Sequence, residues 1–557
     1  MVFAEKLNFE SSIERKLTLQ NVVILSLSAM VGSGLFVLPA LAGKELYYGS
    51  GNMSGIYAAA WLAYLVSALV VLPGALSKSE LSTAMPLSGG AYLYIERTFG
   101  PLLGTMAGLG LWASFFLKSA FALVGFSAYL IATEGLLGWE ISTLTSKLVA
   151  TGLLVVITGI NIRGLGLLKK VQTPILFIAV GCVLLLVGWA FLNGTVDRPT
   201  APIDAAGEAV TSLSGWQGIA ASAAYVFFAY AGITKVAAVA GEIKDPSRNV
   251  PLGILLSLVI AGGLYSLVAF ALFGSMEASA FGIGVEGATV STAPVHLFAV
   301  EVGGETIAFG IAVLAILTMS GGALTGLLAA SRFPFAMGRD KLLPASLENV
   351  HPRFETPHVS VVLTGLAMGA SIWLLDVNAV SKLASGFLMM VFIAVNICVI
   401  VLRRVEDIHD WYRPAYTSPL FPWMQVFGII TAGILLILSG MNAVLGAFGA
   451  MVIGWATFQF YGRHHTTIME TPWDSLRRIL SADESEILRW TTAFHAADIE
   501  DNLTLNLSEF ASALRALKID LDEDGIRDLF HVSDGNQDGV LDIAEFFSML
   551  QSMLEEE

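Results

Sequence analysis

The stretch Asp534–Glu545, DGNQDGVLDIAE, sets oxygen-bearing groups at fixed intervals. Asp534, Asn536, Asp538, the carbonyl of Val540, Asp542 and Glu545 fall at positions 1, 3, 5, 7, 9 and 12 of a twelve-residue loop. Gly539, at position 6, suits a turn with positive φ. This spacing surrounds a hard cation with about seven oxygens, so calcium is the expected ligand. A second loop begins 36 residues earlier, with Asp498, Glu500, Asn502, Thr504, Asn506 and Glu509 at the ligand positions. Leu503 stands where the turn glycine belongs, and a side chain at positive φ costs about 1–2 kcal/mol. This first loop is expected to bind weakly or not at all, and to serve as a structural partner through Leu505.

Two amphipathic stretches, ESEILRWTTAFHAAD and EDGIRDLFHVSD, read as the helices that enter the loops. Residues 483–557 therefore read as an EF-hand pair of four short helices, joined by a linker over 463–482 to a body over 1–462. Residues 463–557 hold 7 Lys and Arg against 21 Asp and Glu, a net −14 of the chain's −15. So acidic a tail is not expected to seek nucleic acid or anionic lipid.

The body has the opposite character. The chain is 55% hydrophobic and 13% charged, with a mean hydropathy of +0.73. Runs of about 20 apolar residues are long enough to cross a bilayer as helices. The expected class is an all-α membrane protein with twelve transmembrane helices, near 19–42, 55–76, 101–131, 145–161, 172–193, 215–240, 251–275, 303–331, 358–376, 380–402, 421–440 and 443–461. Lys and Arg at loops and span ends divide 17 to 4 between the two sides. The rich side includes Arg163, Lys169, Lys170, Lys244, Arg248, Arg339, Lys341, Arg403 and Arg404. The poor side has Lys44, Lys147, Arg198 and Lys382. By the positive-inside rule both termini are then cytoplasmic, in a multi-pass protein of the plasma membrane. The N-terminal segment shows no cleavable signal pattern, so the first apolar run reads as a retained span. Cys182 and Cys398 sit in apolar runs and read as buried thiols. No nucleophile–base set, phosphate loop or zinc spacing argues for an enzyme, and the adjacent His464 and His465 read as solvated.

Two spans are interrupted. The first carries SAMVGSGLFVLPA, with glycines around Ser33 and Pro39 shortly after. The sixth carries YVFFAYAGITKVAAVAG, with Gly232 near its centre. Broken helices at membrane depth are tolerated where the freed backbone lines a cavity or is buried in protein. Interruptions five spans apart point to a transporter site between two repeats. Glycines that merely permit close helix packing are the other reading.

Four motifs make the body resemble the amino acid–polyamine–organocation (APC) superfamily of transporters. They are VGSGLFVLPA, STAMPLSGGAYLYIERTFGPLLG (Ser82–Gly104), FFAYAGITKVAAVAGEIKDPSRNVP (Phe227–Pro251) and AASRFPFAMGRDKLLP (Ala329–Pro344), with RPAYTSPLFPW (Arg413–Trp423) in support. The resemblance implies a LeuT-like fold of inverted five-helix repeats, with broken helices 1 and 6 and alternating access around a central amino acid. By resemblance, N–H groups of Gly32, Ser33 and Gly34, with the Ser33 hydroxyl, would hold the substrate carboxylate. Carbonyls of Met30, Phe228 and Ala231 would hold its ammonium, and Phe228 would be the aromatic lid. Helix ends supply both kinds of group. Many relatives place an acid where this chain has Ile233 and Thr234, so a cationic substrate is not expected; a small or hydrophobic neutral amino acid fits. Glu242 reads as a gate or ion-pair partner at the end of the sixth span, or as a solvated charge.

The coupling ion stays open. Some relatives carry a lysine in the middle of the fifth span; aligned from Asn161 and Gly164, that place is Ala179. Two other lysines lie within spans. Lys118 is mid-span in SFFLKSAFA, where an ammonium needs a cavity or a partner, and could carry a coupling proton. Lys235 lies in the inner half of the sixth span, and snorkelling is its simplest reading. Thr318 and Ser320, with carbonyls near Ala29 and Gly32, offer oxygens for sodium, although such hydroxyls commonly bond their own helix. The resulting expectation is a secondary amino acid transporter regulated by cytosolic calcium. A calcium-responsive amino acid sensor and an uncoupled exchanger are the alternatives. Oligomeric state is not legible.

Overall fold

The computed structural model describes residues 17–555, apart from 53–55, 87–88, 135–141, 164–167, 198–212, 239, 355, 407, 410, 467–470, 482–483, 500–501, 520 and 536–537. Gly164, Arg198, Glu500 and Asn536, singled out from the sequence, lie outside the described residues.

Among the described residues, nine helices are long and apolar enough to cross a membrane, and three further apolar helices, Leu19–Met30, His358–Leu374 and Trp423–Leu438, are shorter. Proline starts several of the long ones. Pro101 opens Pro101–Ala132 directly after Gly100, whose φ of 87° ends Ala91–Phe99. A ring with no N–H is tolerated in a first turn and does not extend the preceding helix. Pro101–Ala132 packs most extensively on Pro294–Arg339, and Ala60–Ala84 on Pro246–Ser275. The outer surface carries exposed apolar rows, such as Leu184, Leu185, Trp189 and Leu192, or Ile430, Ile434 and Ile437. Such rows suit lipid rather than water.

Three elements differ from their sequence reading. The run expected near 303–331 lies within Pro294–Arg339, where Gly304 (φ 75°) is non-helical and divides two helices. The second expected span continues beyond residue 76 to Ala84, taking Lys78 and Glu80 into the protein, both fully buried. The sixth span runs as Leu213–Val226, a 3-10 turn Phe227–Ala231 and a short helix Gly232–Ala238. Its irregular part therefore precedes Gly232.

The acidic tail forms its own core. Phe494, Leu505, Phe510, Leu514, Leu541 and Phe546 are buried together between Glu484–Ala497, Leu507–Ala516, Glu523–Ser533 and Ile543–Glu555. The two loops pair antiparallel, Leu505 opposite Leu541 and Thr504 opposite Asp542. The tail also touches the body. Leu476 packs with Val401 and Val405, Trp473 lies 5.7 Å from Phe99 between ring centres, and His409 Nε2 is 3.0 Å from Ser475 Oγ. Ile408 packs on the tail core itself.

Candidate functional site

The first span ends its helix at Met30 and restarts at Ser33. Val31 is extended, and Leu35 and Phe36 donate to the Gly32 carbonyl, at 3.1 and 2.9 Å. The N–H groups of Gly32, Ser33 and Gly34 precede this first intrahelical bond, so the restarted helix itself offers them no carbonyl. The opposing break is the Phe227–Ala231 turn. Gly232 brings the two together: a Cβ there would lie 2.5 Å from both the Ser26 carbonyl oxygen and Met30 Cγ.

A pocket opens at this junction, lined by Ser28–Ser33, Ala231 and Gly232, and completed by Phe115, Lys118, Ser119, Ala122, Lys235, Gly322 and Gly326. Of the substrate residues expected from sequence, it gathers Met30, Gly32, Ser33 and Ala231. Two are elsewhere. Gly34 packs under the Tyr265 hydroxyl, and its carbonyl accepts from Tyr64 at 3.4 Å. Phe228 is fully buried, edge-on to Phe121 with centroids 5.2 Å apart, and its N–H donates to Ser385 Oγ at 3.3 Å. The aromatic ring on the pocket is Phe115.

Lys118 donates to the Ala229 carbonyl in the 3-10 turn at 3.1 Å. Lys235 does not snorkel: it is buried, lines the pocket and donates to Thr325 Oγ1 at 3.4 Å. Thr318 and Ser320 donate to the carbonyls of Leu314 and Ile316, at 2.6 and 2.7 Å, and do not line the pocket. Glu242 lies outside the pocket as well. Its carboxylate is 3.8 Å from Arg332 in a part-exposed pair, and its carbonyl accepts from Leu17 at 3.0 Å. Ala179 is a buried alanine of Leu168–Leu192.

Sequence reading missed a polar network beside the pocket. Lys78 donates to Thr234 Oγ1 at 2.8 Å and sits 3.5 Å from the centroid of the Phe392 ring. Two residues along, Glu80 accepts from Arg403 Nε and Nη2, both at 2.7 Å, from the Tyr412 hydroxyl at 2.7 Å, and from the Ser418 N–H and hydroxyl at 2.7 and 2.6 Å. Burial first, then the Glu80 carboxylate, hold the Tyr412 phenol above its ordinary range. An acid inside an otherwise apolar helix was the available signal, but its partners lie more than 320 residues away.

In the tail, the two loops have the same internal bonding. Asp498 accepts from the N–H groups of Asn502 and Leu503, and Asp534 from those of Asp538 and Gly539. Glu509 reaches back to the Ile499 N–H and Glu545 to that of Gly535, each at 3.1 Å. Gly539 has a φ of 85° and Leu503 one of 59°. Thr504 hydroxyl donates to Asn502, and Asn506 caps the next helix. Asp542 accepts from the Glu545 N–H. By donor type these oxygens fit a hard cation, yet among the described residues no three His, Cys, Asp or Glu side chains cluster as a metal site requires. The carboxylates of Asp498, Glu509, Asp534 and Glu545 are turned onto loop N–H groups.

Comparison with known proteins places the body in a family. The amino acid permease family matches residues 17–459. A methylthioribose transporter of Bacillus subtilis is 28% identical over 441 residues, covering 76% of this chain and 88% of the relative. The branched-chain amino acid permease BcaP of the same organism is 27% identical, covering 82% and 95%. Its serine/threonine exchanger SteT is 26% identical, covering 75% and 90%.

Proposed function

Because the chain belongs to the amino acid permease family, a family of membrane transporters and not of enzymes, we propose that it moves an amino acid by alternating access through the pocket at its two helix breaks. The carrying observation is that this pocket gathers Gly32 and Ser33 of the helix start with Met30 and Ala231. N–H groups at a helix start attract a carboxylate, and backbone carbonyls accept from an ammonium. The twelve-span body with inverted five-helix repeats, in a plasma membrane with both termini cytoplasmic, is the architecture this reading requires. The nine long and three shorter apolar helices support it. Lys118 is the group best placed to carry a coupling proton, since it bridges to the Ala229 carbonyl of the broken sixth span. Purified protein in liposomes loaded with amino acids should accumulate the matching labelled amino acid by counterflow. Binding without counterflow would instead make the chain an amino acid sensor. Counterflow indifferent to sodium and to the pH gradient would make it an uncoupled exchanger.

The tail supplies calcium regulation in this proposal. Asp534, Asn536, Asp538, the Val540 carbonyl, Asp542 and Glu545 would hold the ion; calcium supplies a positive charge for these oxygens to share. The rest of the device is built from the chain's own contacts. Ile408 packs on the tail core, and the segment it begins carries Tyr412 and Ser418 onto Glu80. On the same helix as Glu80, Lys78 holds Thr234 of the broken sixth span. A shift of the tail thus has a continuous packed and hydrogen-bonded route to the pocket. Counterflow should change between calcium and a chelator, and Asp534→Ala with Glu545→Ala should abolish the difference. Equal rates with and without calcium in both proteins would remove the regulatory reading and leave transport intact.

A further inference from the structure

The pocket at the helix breaks presents two cationic side chains and, among the described residues, no carboxylate. Lys118 comes from Pro101–Ala132 and Lys235 from Gly232–Ala238, so two separate elements each contribute a lysine to the lining of one pocket. They donate to neutral oxygens, the Ala229 carbonyl and Thr325 Oγ1. The nearby acids are engaged elsewhere: Glu80 with Arg403, and Glu242 with Arg332. A third amine, Lys78, is bonded to Thr234, the neighbour of Lys235 in sequence. A charge held inside a protein is tolerated when it is paired, and among the described residues no carboxylate pairs with these amines.

The backbone of the breaks already accounts for a zwitterion. Helix-start N–H groups meet its carboxylate, and the Met30 and Ala231 carbonyls meet its ammonium. A neutral side chain therefore leaves both lysines without a counter-charge. The missing acid at Ile233 and Thr234 argues against a cationic side chain, but does not separate neutral from anionic ones. We propose that the transported substrate is an acidic amino acid whose side-chain carboxylate is received by Lys118 and Lys235. Ser119, on the Lys118 helix, offers a further hydroxyl at the same wall. Selectivity would follow from the substrates that lack the second carboxylate, which leave the two amines without a counter-charge. This inference rests on the transport reading above and narrows its substrate.

The full chain in liposomes would be assayed for counterflow of labelled glutamate, aspartate, leucine and serine at equal concentrations. Thermal unfolding of the detergent-solubilised protein would be measured with the same four. Glutamate or aspartate should exchange at least tenfold faster than leucine and serine, and should alone raise the unfolding temperature. Lys118→Met should lower acidic counterflow at least tenfold, and Lys118→Arg should restore much of it. The thermal measurement needs no variant, so it decides the matter even if Lys118→Met does not fold. Counterflow of leucine or serine with both acidic amino acids inert would overturn the inference and leave the transport reading standing. Stabilisation by glutamate without counterflow of any amino acid would keep the site and remove transport. Neither counterflow nor stabilisation by any of the four would remove both.

Discussion

Arg403 and Glu80 meet in a two-point ion pair, Nε on Oε1 and Nη2 on Oε2, each at 2.7 Å, with the Glu80 side chain wholly shielded from solvent. Tyr412 and Ser418 fill the remaining lone pairs of the carboxylate. Removing one member of a buried pair leaves an uncompensated charge. Arg403→Met should therefore destabilise the protein by about 3–5 kcal/mol, while replacing both members by apolar groups should cost less than the single change. Denaturant unfolding in detergent of the two single variants and the double variant checks this. Additive losses would show that the pair does not act as a unit.

Lys78 and Thr234 make an asymmetric test of the same physics. Thr234→Val keeps the shape and removes the acceptor of a fully buried ammonium, so a loss of about 1–3 kcal/mol is expected. Lys78→Met removes the charge along with its need for a partner and retains an apolar stem over Phe392. It should be the milder change of the two. Unfolding midpoints that rank the variants in the opposite order would contradict this account.

These two clusters also show where sequence reading stopped. Apolar runs place the long helices, because hydropathy over twenty residues is a local property. The break at Gly32 was legible from two glycines flanking Ser33. The ends were not: the second long helix runs past its apolar core to Ala84, carrying Lys78 and Glu80 inside, because partners distant in sequence neutralise their cost. Phe228 illustrates the converse. Its motif suggests a lid, but its ring is buried against Phe121, and Phe115 faces the pocket instead. Lys235, read as reaching for the surface, is held inside by Thr325. Which way a side chain turns depends on neighbours that spacing does not reveal.

Gly232 separates packing from flexibility. A methyl at this position would meet the Ser26 carbonyl oxygen and Met30 Cγ, each at 2.5 Å, whereas one at Gly159 meets nothing within 4 Å. Backbone cannot yield as a flexible side chain can. Gly232→Ala should cost about 1–3 kcal/mol and slow counterflow, because overpacking forces the two broken spans apart. Gly159→Ala lies in an open part of Thr143–Arg163 and should be neutral or stabilising by up to about 1 kcal/mol. Equal stability of the two variants would show that the close approach at Gly232 is not needed.

The paired loops of the tail allow a prediction about stoichiometry. Both first-position aspartates accept two loop N–H groups, and both twelfth-position glutamates reach back to the start of their loops, so the loops share a backbone plan. They differ at the turn: Gly539 takes a φ of 85° without strain, while Leu503 is held at 59°. The left-handed conformation costs a leucine about 1–2 kcal/mol, and only the second loop has carboxylates at four of its ligand positions, the first having them at three. Calorimetric titration of the full chain should give one calcium equivalent, lost in Glu545→Gln. Leu503→Gly relieves the turn, so it should strengthen the first loop by up to about tenfold, the equivalent of about 1.4 kcal/mol, and bring a second equivalent into range. Two tight equivalents in the unaltered chain would show that Leu503 does not limit the first loop. No equivalent at all would remove calcium from the account of the tail.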